Sequence, residues 1–321
     1  MKYLVYYCML NSYEKGVFPL HNNVIDSTRN RWIALAMVLA MLFCAFAPIR
    51  SYADNEVPYG TFQSDVVYLI NLNNGSVVFN KNGNAVKPMA SLTKITTALV
   101  VMEQIGNLDR QVLVTQDELD EIKDPASASG GIKAGEILTV RQLMNIMMIK
   151  SANEAAIILA HEACGSTPAF VQEMNNYARS HGCYNTHYAN PHGLTASNHY
   201  TTAADLARLC KLLLNNQTLA AIVRQPYYVL PETNLRSKPT KYVNPNKLLR
   251  SDTDYYYPGC RGIKTGFTNT SGRTFASTVT RNGKSYLCVV LAGHDSIKYE
   301  NKYSIVFEDA INAYNWAFNG R

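Results

Sequence analysis

Apolar and polar positions along the chain change rhythm several times, and each rhythm predicts a different element. Residues 32–47 (WIALAMVLAMLFCAFA) form an unbroken apolar run. Two β-rich runs within DVVYLINLNNGSVVFNKN, at 65–82, flank Asn74-Gly75, a dipeptide favoured in tight hairpin turns. From 89 the period lengthens: Leu92, Ile95, Leu99 and Met102 recur at helical spacing behind Pro88, which predicts a helix opening near Ser91. Helical patterns continue in LTVRQLMNIMMIKS from 138, in NEAAIILAHEACG closed by Gly165, in TPAFVQEMNNYARSHG opened by Pro168 and closed by Gly182, and in TTAADLARLCKLLLNN from 201. Thr and Ser ahead of these runs can cap them, and the closing glycines suit a left-handed terminal residue. Residues 217–260 are polar, tyrosine-rich and without a period. β character returns in GIKTGFT and in RTFASTVTRNGKSYLCVVLAG, a hairpin pattern about Asn282-Gly283; SIVFEDAINAYNWAFNGR then ends the chain as an amphipathic helix. Strands at both ends with helices between predict an α+β fold. Its antiparallel sheet would be built from N- and C-terminal strands and covered by helices, with a helical subdomain.

The first apolar run belongs to a separate segment. Arg29 and Arg31 precede it, and Ser51-Tyr52-Ala53 follows as a small-x-small site before Asp54. That order reads as a secretory signal, and the run is shorter than the roughly 20 residues of a membrane span. Residues 1–53 are therefore expected to be a signal peptide or an N-terminal membrane anchor, and 54–321 the mature, exported domain. The stretch before Arg29 is long for a signal's basic region, which leaves open an early start site or a retained tail. Without residues 1–53 the formal charge falls from +6 to +3, that is 25 Lys and Arg against 22 Asp and Glu. So small a charge, with no basic run, argues against a nucleic-acid partner. Five cysteines remain (Cys164, Cys183, Cys210, Cys260, Cys288), an odd number without Cys-x-x-Cys spacing, and they read as core packing. HEACG at 161–165 opens like a zinc-protease helix but has Gly165 where a second histidine is needed, so no metal is expected.

Candidate chemistry starts in MASLTKITTALV, where Ser91 stands three residues before Lys94. Residues three apart share a helix face, so the Lys94 amine can reach the Ser91 hydroxyl: a nucleophile beside a potential base. By itself the pattern is weak, because Ser12 and Lys15 repeat it. A serine at a helix start is more often a cap, and a helical lysine more often faces solvent. Two further motifs change the balance. KSANEAA places Ser151 two residues before Asn153 between two helical patterns, the one Ser-x-Asn of the chain. GIKTGFT carries Lys264-Thr265-Gly266 on a predicted strand, where Gly266 would let a substrate backbone lie against a sheet edge. Each has a bland reading too: Ser151 a cap, Asn153 a turn residue, Lys264 an edge-strand lysine that discourages aggregation.

In this order the three motifs are a known catalytic set, and with them the chain resembles the serine-type D-alanyl-D-alanine carboxypeptidases, the low-molecular-mass penicillin-binding proteins. The resemblance runs from about residue 58 to the end and includes SASGGIKAGE, YANPHGLTASNHYTTAADLARL, NPNKLL and GIKTGFTNTSGRTFAS. It implies a β-lactamase/transpeptidase-like fold and an acyl-enzyme reaction without cofactor. The substrate would be a peptidoglycan stem peptide ending in D-alanyl-D-alanine, and β-lactams would inhibit. By the same resemblance Ser91 is the nucleophile and Lys94, its pKa lowered, the base; Ser151 relays a proton to the leaving amine. Asn153 holds the substrate amide, Lys264 and Thr265 read the terminal carboxylate, and the N–H groups of Ser91 and Phe267, beyond Gly266, form the oxyanion hole.

Two departures stand out. Many relatives add a C-terminal β domain and an amphipathic anchor, neither expected here, which leaves the N-terminal apolar segment as the one expected membrane contact. Relatives also often carry a carboxylate-binding arginine after the last hairpin, where this chain offers Lys298 and Lys302. Among rivals, a class A β-lactamase would need a Glu-x-x-x-Asn between Glu162 and Asp205, which is missing. A β-lactam sensor usually sits behind several membrane spans. A D,D-endopeptidase has the same motifs and stays open.

Overall fold

The computed structural model describes residues 62–294 and 304–319, except 123, 125 and 126, all within one unit, Glu56–Arg321. The signal-like segment, Lys298 and Lys302 lie outside the described residues.

Alternation in the first β-rich stretch produces β1 (Val66–Asn71) and β2 (Val77–Lys81), paired antiparallel around Gly75 at φ +75°. The last stretch supplies β7 (Cys260–Thr268), β8 (Gly272–Arg281) and β9 (Lys284–Gly293). Asn282 and Gly283 both take positive φ, 48° and 75°, as a two-residue turn matched to strand twist requires. The five strands form one antiparallel sheet in the order β2-β1-β9-β8-β7, so N- and C-terminal strands meet at β1 and β9 as expected. β7 is an edge.

Both faces of the sheet are buried, which is why YLCVVLAG reads as a continuous apolar run. Leu287, Val289 and Leu291 of β9 enter the larger core, and Cys288 and Val290 the smaller one. The smaller core is closed by the C-terminal helix (Ser304–Asn319) through Phe307 and Tyr314. The larger core surrounds α1 (Thr93–Gln104), which follows a 3₁₀ turn at Ala90–Leu92 and is buried on every side from Thr93 to Val101. Its threonines are satisfied inside the protein: Thr96 Oγ1 lies 2.6 Å from the Tyr188 hydroxyl, and Thr97 Oγ1 donates to the Pro191 carbonyl. Around α1 pack α4 (Asn153–Cys164), α5 (Thr167–Ser180) and α6 (Ala203–Asn215). The expected caps hold: Ser166 and Thr202 accept N–H bonds at the starts of α5 and α6, and Gly165 ends α4 at φ +77°.

Three regions differ from the sequence reading. The helix expected from 138 starts at Val140 as α3 (Val140–Asn145), because Thr139 and Gln142 close a capping box. Residues 137–139 are instead strand β4, paired with β3 (Gln111–Leu113); α2 (Gln116–Asp120) lies between them. The stretch 217–260 contains α7 (Gln217–Val223) and the hairpin of β5 (Tyr227–Leu230) and β6 (Thr240–Val243). These elements are too short for periodicity to show.

Candidate active site

The nucleophile candidate sits where the chain is forced into a tight turn. Ala90, just before Ser91, has φ +48°, a left-handed conformation that costs a residue with a Cβ on the order of 1 kcal/mol. Two glycines make room for it. A Cβ on Gly193 would lie 2.1 Å from the Ala90 carbonyl oxygen, and one on Gly266 would lie 2.8 Å from the Ser91 nitrogen. Thr274 adds a hydroxyl that donates to the Met89 carbonyl at 3.2 Å.

Lys94 is the centre of the site. Its side chain is fully buried, and Nζ lies 3.1 Å from Ser91 Oγ, 2.7 Å from Asn153 Oδ1 and 2.6 Å from the His192 carbonyl oxygen. Burial, then the charge of Lys264, push the amine well below the usual lysine range; Glu154 opposes them. Lys264 is equally buried on β7, where desolvation pulls its amine down to about 7, and its Nζ donates to the Thr265 carbonyl.

Ser151 follows a π-helical turn (Ile146–Lys150) and takes φ +66° at the junction with α4. It is not the cap of α4: the capping position belongs to Ala152. Asn153 then starts the helix, and its own N–H donates to the Ala128 carbonyl. Thr265 is buried, whereas Phe267 exposes 46% of its surface and packs its ring 4.9 Å from the Arg273 guanidinium. Thus Ser91, Lys94 and Asn153 share one hydrogen-bonded cluster, Gly266 abuts the serine, and Lys264 acts on the cluster through its charge. Ser151 stands two residues from Asn153, at the start of the same helix.

A family profile for D-alanyl-D-alanine carboxypeptidases matches residues 53–295. The chain belongs to that family. DacF, a D-alanyl-D-alanine carboxypeptidase of Bacillus subtilis, is 30% identical over 257 residues, 79% of this chain and 63% of that relative. A D-alanyl-D-alanine endopeptidase of Escherichia coli is 27% identical over 298 residues, 90% of this chain and 88% of its own. The crystal structure of a D-alanyl-D-alanine carboxypeptidase from Mycobacterium tuberculosis superposes with a TM-score of 0.73 at 26% identity, covering 84% of this chain and 96% of that one. The chain therefore spans less than two thirds of DacF. The fold is the DD-peptidase, β-lactamase/transpeptidase-like fold that the resemblance implied.

Beyond the three motifs, this family member draws on segments that pattern reading did not single out as site residues. The 188–199 stretch supplies the carbonyl of His192 and the flat contact of Gly193. Glu154 accepts from Ser129 Oγ and the Gly130 N–H, and so ties the glycine loop to α4. Arg236, paired with buried Glu136 at 2.6 Å, donates to the Gly131 carbonyl, and Tyr242 donates to that of Gly130. The available signals were the Gly in NPHGLT and the acidic residue directly after Asn153. Neither states its partner. Among the described residues no group of His, Cys, Asp and Glu is placed to hold a metal ion.

Proposed function

We propose that the protein is a serine D-alanyl-D-alanine carboxypeptidase that removes the terminal D-alanine of peptidoglycan stem peptides through an acyl-enzyme on Ser91. The observation that carries this reading is the set of neighbours around Lys94. Two of them, Asn153 Oδ1 and the His192 carbonyl, can only accept, so they engage two N–H bonds. A neutral amine has two N–H bonds and one lone pair. The lone pair is left for Ser91 Oγ, which can donate its proton. Burial and the nearby Lys264 charge favour that neutral form.

The steps follow from that arrangement. Lys94 takes the Ser91 proton as Oγ attacks the carbonyl carbon between the two D-alanines. The N–H groups of Ser91 and Phe267 receive the developing oxyanion. Ser151 passes a proton to the leaving nitrogen, the C–N bond breaks, and D-alanine departs. Water then cleaves the ester. Asn153, whose oxygen is engaged by Lys94, turns its amide hydrogens to a substrate carbonyl, and Lys264 with Thr265 reads the terminal carboxylate. β-Lactams would acylate the same serine. The same acyl-enzyme would form in a D,D-endopeptidase, where the leaving amine belongs to a cross-link.

Export fits this substrate. We assign residues 1–53 to a signal peptide or N-terminal anchor and 54–321 to a catalytic domain outside the cytoplasm, supported by the basic flank, the apolar run and a family match that begins at residue 53. No helix among the described residues is long and apolar enough to cross a membrane. The test is mass spectrometry of the protein with a fluorescent penicillin, and with linear and cross-linked D-alanyl-D-alanine peptides. An adduct on Ser91, lost in Ser91→Ala, and D-alanine released from the linear peptide are expected. An adduct on another serine would refute the assignment, and cleavage confined to the cross-linked peptide would make the enzyme an endopeptidase. A chain beginning at Asp54 should need no detergent and keep its turnover.

A further inference from the structure

We propose that His199 is a positioning residue for the nucleophile, acting through Thr93 on the strained turn that carries Ser91; the inference rests on Ser91 being the nucleophile. His199 is 4% exposed and far from Ser91 in sequence, yet it belongs to the network directly behind it. The Ala189 N–H donates to His199 Nδ1 at 3.0 Å, so Nδ1 holds a lone pair and the ring hydrogen sits on Nε2. Nε2 lies 2.7 Å from Thr93 Oγ1 and therefore donates to it. Thr93 has one hydroxyl proton, and it goes to the Ala90 carbonyl at 2.7 Å. Every donor in this chain has one direction.

What the chain holds is the left-handed Ala90. The residue after it presents both the attacking Oγ and the N–H assigned to the oxyanion. Without the Thr93 hydroxyl, the Ala90 carbonyl loses one of the bonds that fix its plane, and the Ser91 N–H turns with that plane. The effect falls on geometry at the reacting atoms and not on substrate affinity, since neither His199 nor Thr93 reaches the Lys264 side. The ring stays neutral because it is buried, beside Tyr188 at 5.8 Å between centroids.

The test measures penicillin acylation rates, and kcat and KM for D-alanine release, on the full chain and on His199→Ala, His199→Gln, Thr93→Val and the Ala/Val double variant. His199→Ala and Thr93→Val should each slow acylation about 10-fold to 100-fold with KM within about twofold, the size expected for a small misplacement of a reacting group. Gln offers an N–H to Thr93 and an oxygen to Ala189, so His199→Gln should recover most of the rate. The double variant should be no slower than the slower single one, because both remove the same relay. Wild-type rates in His199→Ala, effects that multiply in the double variant, or a folded His199→Gln as slow as Ala would each overturn the inference. If His199→Ala does not fold, the near-isosteric Thr93→Val decides by the same criterion. Failure of the wild-type protein to be acylated at Ser91 would refute the functional reading itself, which separates the two.

Discussion

On one side of Ser91 runs β7, a nine-residue edge strand paired with β8 in unbroken register from Ile263 to Thr268. On the other side lie residues 188–199, a loop closed at its base by one isolated β-bridge between His187 and Tyr200 and otherwise following turns. The strand side offers repeating backbone groups and two candidate substrate-binding side chains, Lys264 and Thr265. The loop side offers single groups at single points: the His192 carbonyl, the bare Gly193 and the His199 ring. A regular strand needs little beyond its neighbours to keep its shape. An irregular segment keeps its shape only if its polar groups are paired one by one, as Asn190 shows by accepting from the Gly193 N–H and donating to the Leu194 carbonyl.

This difference can be attacked directly. The largest effect is expected at the residue that both sides converge on. Lys94→Arg places a permanent cation that has no lone pair to take the Ser91 proton, so acylation should fall roughly 10³-fold or more; near-normal labelling would mean that Lys94 acts by charge alone. Next comes Gly193→Ala. With φ +94° and a Cβ 2.1 Å from a backbone oxygen, it should lose about 4 kcal/mol of stability, read by denaturant unfolding. The loop side should also be the acid-sensitive one. His192 and His199 are held down to about 3 and about 4, chiefly by burial. Their folded values lie below the unfolded 6.5, so the unfolded chain binds more protons. Stability is then full above pH 6.5 and is lost as pH falls towards 4, on the order of 3 kcal/mol for His199. A flat unfolding midpoint between pH 7 and 4.5 would contradict this.

Smaller effects belong to the strand side. Gly266→Ala places its Cβ 2.5 Å from the Thr274 hydroxyl and 2.8 Å from the Ser91 nitrogen, in a backbone conformation open to any residue. It should cut acylation about 100-fold by displacing Ser91, with a much smaller stability loss than Gly193→Ala. A reversed order of the two stability losses would break the comparison. Lys264, with its amine at about 7, is charged below that pH and neutral above it. KM for a peptide with a free terminal carboxylate should therefore rise up to about tenfold per unit above pH 7, while an amidated peptide should show no such rise.

The fold and the site were legible in the sequence to different depths. Both hairpins around Asn-Gly, the sheet from the two termini, the long helices and their Ser and Thr caps were readable because each depends on residues within a turn or a strand of one another. The Ser91–Lys94 contact was readable for the same reason, being one helical turn. Short elements such as β3, β4 and the β5–β6 hairpin were not, since three or four residues show no period. The roles of Asn153 and Lys264 came from family likeness, and nothing in their local sequence points to α1.

What the chain alone determined, then, is the set of local geometries and the chemical kinds of group available. Only the tertiary structure decided that the Lys94 amine is buried, faces two obligate acceptors in Asn153 Oδ1 and the His192 carbonyl, and lies 3.1 Å from Ser91 Oγ. It also decided that Gly193, 102 positions beyond Ser91, and Gly266, further still, are the surfaces against which Ala90 can hold a left-handed turn. Burial and close backbone approach are sums over distant segments. A residue's proton affinity and the room for a missing Cβ depend on those sums, which no window of neighbouring residues contains.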